Sequence, residues 1–95
     1  MNILVLDNYD SFVYNIVYIL RELPKINVTV VKNDEIELRS VKNYDKVILS
    51  PGPGLPKDAG IMPDLIAEYY DEIPILGICL GHQAIAEFFG NRIYN

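Results

Sequence analysis

Ten residues decide the fold: Pro74-Ile75-Leu76-Gly77-Ile78-Cys79-Leu80-Gly81-His82-Gln83. Their apolar run, Ile75 to Ile78, predicts a short buried strand, and a helix-compatible segment follows from Leu80 to Phe89. Cys79, the only cysteine, has a glycine two residues before it and another two residues after it. This pattern is typical of a nucleophile elbow, in which a reactive side chain stands on a tight strand-to-helix turn. Small flanking residues are needed there because the backbone is strained and neighbouring segments approach closely. Taken alone, the pattern fits an inert buried cysteine equally well.

The composition excludes several classes of function. The chain has 95 residues, which is the size of one small domain, and 51% of them are hydrophobic, enough to bury a core. Its net charge is −5 and it has no basic cluster, so we expect neither nucleic acid nor an anionic membrane as a partner. A single cysteine excludes an internal disulfide framework and fits a reducing compartment. We find no signal peptide and no transmembrane segment, and we expect a cytoplasmic protein.

Short strand-like runs alternate with helical segments along the chain. Four apolar runs predict strands, at Ile3–Leu6, Asn27–Val31, Lys46–Leu49 and Ile75–Ile78. Such alternation predicts an α/β domain spanning residues 1–95, with a parallel sheet covered by helices on both faces.

The first helix is expected after a cap at Asp10 or Ser11 and before Pro24. Three- and four-residue spacings predict that its buried face comprises Phe12, Ile16, Ile19, Leu20 and Leu23. A second helix is expected from Gly60 to Tyr70, with Pro63 in its first turn. The polar segment from Lys32 to Asp45 predicts a loop or a short irregular helix. Gly90 is expected to end the helix after Cys79, and Arg92 to open another strand.

Three polar or reactive clusters follow predicted strands: Asp7–Ser11, Ser50–Pro56 and Cys79. Ligands of parallel sheets bind at the carboxyl ends of the strands, so we expect these clusters to converge. Cys79 can attack a carbonyl to form a thioester, and the N–H of Leu80 points to where an oxyanion would form. The glycine- and proline-rich loop at Ser50–Gly54 can supply a second donor. It also fits a rigid turn, or less well an anion cradle, because no Gly-Lys-Ser/Thr follows.

The other polar residues of these clusters have more than one interpretation. His82 is the only histidine, and its position in the same helical turn as Cys79 favours a surface or packing role over that of a base. The Asp7–Ser11 cluster fits a helix cap, a metal-binding acidic pocket or a partner surface. Gln83 can contact a polar substrate tail or stand solvated on the helix.

Three motifs together are more specific than any one of them. Gly77-Ile78-Cys79-Leu80-Gly81-His82-Gln83 resembles the nucleophile motif of class I (triad) glutamine amidotransferases. Ser50-Pro51-Gly52-Pro53-Gly54-Leu55-Pro56 is similar to the oxyanion and glutamine-binding loop of that family. Asp7-Asn8-Tyr9-Asp10-Ser11-Phe12, with Tyr14-Asn15, resembles the opening of its anthranilate and aminodeoxychorismate synthase branch.

The resemblance implies a three-layer, flavodoxin-like fold and a glutaminase that passes ammonia to a chorismate-using synthase partner. It implies that Cys79 is the nucleophile and that Leu80 and Gly52 supply the oxyanion N–H groups. It further implies that Gly52, Pro53, Gly54 and Gln83 contact the glutamine substrate. No cofactor and no metal ion are implied.

The resemblance covers only the N-terminal half of a family domain. The family's catalytic histidine and glutamate lie in the other half, and nothing in these 95 residues matches them. We therefore expect little glutaminase activity from this chain alone, and self-association through the edge of an incomplete sheet. The alternative is a non-catalytic, flavodoxin-like half-domain that acts as an assembly module.

Overall fold

The structure is a computed structural model, which describes the backbone of residues 1–94 and the side chains of residues 1–90. Four strands and three α-helices alternate along it: β1 (Asn2–Asp7), α1 (Val13–Arg21), β2 (Asn27–Lys32), β3 (Lys46–Leu49), α2 (Met62–Tyr69), β4 (Ile75–Gly77) and α3 (Leu80–Tyr94). Short 3₁₀ helices lie at Leu38–Asn43 and Pro56–Asp58. All four predicted strands are confirmed to within one residue at each end.

The strands form one parallel sheet in the order β2-β1-β3-β4. Successive side chains of a strand point to opposite faces of the sheet. Leu4 and Leu6 of β1 therefore pack with α2 and α3, whereas Ile3 and Val5 pack with α1. The predicted α/β fold with helices on both faces is confirmed.

The buried face of α1 differs from the prediction. Val13 and Val17 are buried against the sheet, with Ile16 and Leu20 partly buried beside them. Phe12, Ile19 and Leu23 are exposed, so three of the five residues expected on the buried face lie outside it. The helix carries apolar residues on both of its sides, and spacing alone does not say which side meets the sheet.

The ends of the helices also correct the sequence analysis. The helix α3 continues to Tyr94, so the predictions of a helix end at Gly90 and a strand opening at Arg92 are wrong. In α2, Pro63 occupies the first turn as expected, where its missing N–H leaves no helical bond unmade. The segment Lys32–Asp45 contains the 3₁₀ helix, which agrees with its interpretation as a loop or short irregular helix. In the part of the chain that the structure describes, no helix has the length and apolar character needed to cross a membrane.

Candidate active site

Cys79 lies on a strained turn between β4 and α3. Its φ is +53°, in the left-handed region that side chains other than glycine rarely adopt, and its side chain is exposed. A residue held there costs on the order of 1–3 kcal/mol and keeps the conformation only because its surroundings impose it. The geometry is that of a nucleophile elbow, and the alternative of an inert buried cysteine does not fit the exposed side chain.

Two glycines make this turn sterically feasible. A Cβ added to Gly77 would lie 2.5 Å from the carbonyl carbon of Gly81 and 2.6 Å from the nitrogen of His82. A Cβ added to Gly81 would lie 2.5 Å from the Cβ of Leu49, at the end of β3. The strand end, the helix start and the neighbouring strand therefore meet at distances that only glycine permits.

A mostly apolar cleft of about 480 Å³ opens beside Cys79. All three clusters singled out in the sequence contribute to its lining, through Asp10, Pro51, Gly52 and Cys79. Three apolar residues complete it: Phe12, Ile16 and Ile78. The expected convergence of the clusters is thus present, because the carboxyl ends of adjacent parallel strands β1, β3 and β4 share one edge of the sheet.

The two expected oxyanion donors, Gly52 and Leu80, lie close to each other at this turn. Gly52 packs so closely that a Cβ there would lie 3.1 Å from Cδ2 of Leu80. Within residues 1–94, the backbone N–H groups of Gly52 and Leu80 donate to no acceptor. Unpaired N–H groups beside a nucleophile are the donors that an oxyanion requires.

The other expected substrate contacts are more dispersed. Pro53 lines a different, more polar cleft together with Tyr9, Asn33 and Asp34. Gly54 is exposed and has a φ of +77°, a conformation that favours glycine. This conformation accounts for the glycine but does not indicate a contact with substrate. Gln83 is exposed on α3 and does not line the Cys79 cleft. Of the predicted set, the structure thus brings Gly52 and Leu80 close together at the Cys79 turn.

A buried polar network lies behind the loop, and the sequence analysis missed it. The Asn8 N–H donates to Ser50 Oγ over 2.9 Å, and Asn8 Nδ2 donates to the Ser50 carbonyl oxygen over 2.8 Å. Asn33 Nδ2 donates to Asn8 Oδ1 over 3.0 Å. All three residues are buried. Asn8 is 42 positions from Ser50 and 25 positions from Asn33, so no local sequence signal marks the network.

The Asp7–Ser11 cluster forms a local turn. Asp7 Oδ1 accepts the N–H of Tyr9 at 2.7 Å, and Asp10 Oδ1 accepts the N–H of Phe12 at 2.7 Å. Phe12 is the residue before α1 and makes no side-chain cap bond itself, but Asp10 accepts the N–H two residues on, which is the bond expected of a capping side chain. Among the described residues, no three His, Cys, Asp or Glu side chains lie where they could hold a metal ion together.

The side chain of Tyr9 links this turn to the segment after β2. Its hydroxyl donates a short hydrogen bond to Asp34 Oδ1, and the ammonium of Lys32 lies 5.2 Å from its ring centre. The hydrogen bond to Asp34 is the main reason that the pKa of Tyr9 is raised to about 12. The Tyr9 hydroxyl is the donor in this bond, and the raised pKa extends its protonated range to higher pH.

His82 is exposed on the first turn of α3 and does not line the Cys79 cleft. This position agrees with its interpretation as a helix-surface residue. Because it is the only histidine of the sequence, these 95 residues place no histidine base in the cleft.

An exposed cysteine on a strand-to-helix elbow, beside two unpaired backbone donors, is the arrangement that a cysteine-nucleophile acyl-transfer site requires. The model of the family "Glutamine amidotransferase class-I" matches residues 4–95. The chain belongs to this family of class-I glutamine amidotransferases.

Two curated relatives and one solved structure illustrate the relationship. Anthranilate synthase component 2 of Pyropia yezoensis is 52% identical over 93 residues, which are 96% of this chain and 49% of that protein. Anthranilate synthase component 2 of Acetivibrio thermocellus is 51% identical over 88 residues, covering 90% of this chain and 96% of the relative. The chain thus spans about half the length of the first of these. A solved Thermoplasma acidophilum structure, described as a GMP synthase subunit, superposes with a TM-score of 0.76 at 33% identity, over 95% of this chain and 45% of the other.

Proposed function

We propose that this chain carries the nucleophile side of a glutaminase that supplies ammonia to a chorismate-using synthase, of the anthranilate synthase type. The observation that carries the proposal is Cys79, held at a φ of +53° on the edge of a cleft that Gly52 also lines. The names of the relatives support the anthranilate branch, and with it tryptophan biosynthesis. An exposed free thiol also suits the reducing cytoplasm, which we propose as its location.

In the proposed reaction, the sulfur of Cys79 attacks the side-chain amide carbon of glutamine. The oxygen of the tetrahedral intermediate takes the negative charge, and the N–H groups of Gly52 and Leu80 stabilise it. Losing one such donor typically costs about 2.7–4 kcal/mol of barrier. The carbon–nitrogen bond then breaks and ammonia leaves, and water cleaves the thioester to release glutamate and the free thiol. Pro53, Gly54 and Gln83 remain proposed substrate contacts.

The step that these residues do not explain is proton transfer. Attack and ammonia release need a base and an acid, and the only histidine lies outside the cleft. We therefore propose that the chain alone turns glutamine over slowly, although Cys79 still reacts with electrophiles. A steady glutaminase rate of the usual size from the purified 95-residue chain would contradict this.

Labelling with the glutamine analogue 6-diazo-5-oxonorleucine tests whether the substrate site is formed. We expect one covalent adduct, located on Cys79 by peptide mass analysis, and slower labelling when glutamine is present. The Gly52→Ala variant should label more slowly, because its Cβ would lie 2.5 Å from the carbonyl oxygen of Asn8. Gly90→Ala is the matched control, since among the described residues no atom outside its own stretch of helix lies within 4 Å of a Cβ at that position.

The second candidate function is a non-catalytic half-domain that acts as an assembly module. The position of His82 outside the cleft is the observation that favours it. If the analogue does not label Cys79, or labels it at the same rate with and without glutamine, the assembly module is the better interpretation.

A further inference from the structure

The Ser50 hydroxyl connects Asn8, which follows β1, to the loop that follows β3. Its Oγ accepts the N–H of Asn8 at 2.9 Å and donates to the carbonyl oxygen of Pro51 at 2.8 Å. Ser50 is completely buried, and water does not compete for its bond with the Asn8 N–H, whereas its bond to the half-buried Pro51 is partly exposed. Because the Asn8 N–H occupies one lone pair of the oxygen, the hydroxyl proton is directed toward Pro51.

The Pro51 carbonyl and the Gly52 N–H belong to the same peptide group. That group is planar, and the described residues contain no cis peptide bond, so its C=O and N–H point in opposite directions. A hydrogen bond that fixes the Pro51 carbonyl therefore also fixes the direction of the Gly52 N–H. This N–H has no acceptor within residues 1–94, and Gly52 lines the Cys79 cleft.

The side chain of Asn8 fixes the start of the loop at Ser50. Its Nδ2 donates to the Ser50 carbonyl oxygen at 2.8 Å, and its Oδ1 accepts from Asn33 Nδ2 at 3.0 Å, which sets the orientation of the amide. Gly52 rests directly on Asn8, where a Cβ would lie 2.5 Å from the Asn8 Cβ. Asn8 thus holds the position of the loop, and the Ser50 hydroxyl holds the orientation of the Pro51–Gly52 peptide group.

We propose that Ser50 is a positioning residue: its hydroxyl, oriented by Asn8, fixes the Pro51–Gly52 peptide so that the Gly52 N–H is directed at the oxyanion formed on Cys79. This inference rests on the proposed function, because it assigns a role to the proposed oxyanion donor. It gives the inward-facing Asn8 of the Asp7–Ser11 cluster a part in the chemistry of the site.

The test compares two reactions of Cys79, only one of which forms an oxyanion. With p-nitrophenyl acetate, a bond forms between the sulfur and the carbonyl carbon, and the carbon–oxygen bond then breaks as p-nitrophenolate leaves with its electron pair. With iodoacetamide, the sulfur displaces iodide at a saturated carbon, and no oxyanion appears. Both reactions need the same exposed thiolate, so the ratio of their rates reports the oxyanion donors.

We expect Ser50→Ala to lower this acylation-to-alkylation ratio by about tenfold, a part of the loss that follows complete removal of a donor. Asn8→Ala should lower the ratio in the same direction. Ser40→Ala, a matched serine substitution in the first 3₁₀ helix, should leave it at the parent value. Circular dichroism and thermal melting establish whether each variant is folded. If Asn8→Ala does not fold, the test rests on Ser50→Ala alone.

An unchanged ratio in folded Ser50→Ala would overturn the inference, as would an equal fall in both rates, which indicates altered access to the thiol. The failure of the proposed function looks different. In that case the folded parent chain shows no higher ratio than the same chain unfolded in urea, and its Cys79 is not captured by the glutamine analogue.

Discussion

Gly77 at the end of β4 lies directly against Gly81 in the first turn of α3, so close that a Cβ on Gly77 would lie 2.5 Å from the Gly81 carbonyl carbon. The opposing atoms are backbone and cannot rotate away. We expect Gly77→Ala to destabilise the fold by about 1–3 kcal/mol, the usual cost of overpacking. Urea denaturation followed by circular dichroism measures this.

Gly90→Ala is the control for that prediction. Gly90 lies within α3, and no described atom outside its own stretch of helix would meet a Cβ there, so the substitution should stabilise the protein by about 0.5–1 kcal/mol through helix propensity. Equal effects of the two substitutions would show that the contact between Gly77 and Gly81 does not limit the residue at position 77.

Alanine usually gives a more stable protein than glycine at the same position. The strained backbone at Cys79 predicts the opposite order there. At a φ of +53° a Cβ is unfavourable, so Cys79→Gly should be more stable than Cys79→Ala by about 1 kcal/mol. The comparison of the two variants removes the contribution of the thiol itself. A higher denaturation midpoint for Cys79→Ala would contradict the strained geometry.

The two sides of α1 should respond differently to truncation. Val17 is 1% exposed and Ile19 is 67% exposed, although both are branched residues of the same helix. Val17→Ala should cost about 1–3 kcal/mol of unfolding free energy, since it leaves a cavity under the sheet. Ile19→Ala should change it by no more than about 0.5 kcal/mol. A larger loss of unfolding free energy in Ile19→Ala than in Val17→Ala would contradict the observed burial and favour the helix face expected from spacing.

The hydrogen bond from Tyr9 to Asp34 predicts a pH dependence. Because the folded-state pKa of Tyr9 is raised from 10.0 to about 12, the bond contributes stability that is fully present below pH 10 and is lost as the pH rises to about 12. In Asp34→Asn the pKa of Tyr9 should fall toward 10. Absorbance titration of tyrosinate, with Tyr9→Phe subtracted to isolate this ring, measures the shift, and an unchanged midpoint would argue against the bond.

The outer edge of β4 predicts self-association. Within the described residues β4 pairs only with β3, and Leu76 on this strand is 59% exposed. An unpaired edge with an apolar side chain favours pairing with a second copy. We expect the chain to sediment as more than a monomer, and Leu76→Lys to shift it toward monomer. A parent chain that sediments as a monomer at every concentration would contradict the prediction.

Much of the fold could be predicted because its signals are local. The four strands are short apolar runs that end at polar or turn residues, and a parallel arrangement follows from their alternation with helices. The convergence of Gly52 with Cys79 follows from the same reasoning, since both residues come directly after strands of one sheet. The buried side of α1 could not be derived in this way, because apolar residues occur on both sides of that helix.

What the sequence determined by itself is the elbow. Gly77, Cys79 and Gly81 have the spacing that a strand-to-helix turn requires, and the steric reason lies within a few residues of backbone. Only the tertiary structure decided how the loop after β3 is held in place. Asn8 and Ser50 are 42 positions apart, and their hydrogen bonds exist only when β1 and β3 lie side by side. The direction of the Gly52 N–H depends on those bonds, so it is a property of the packed sheet.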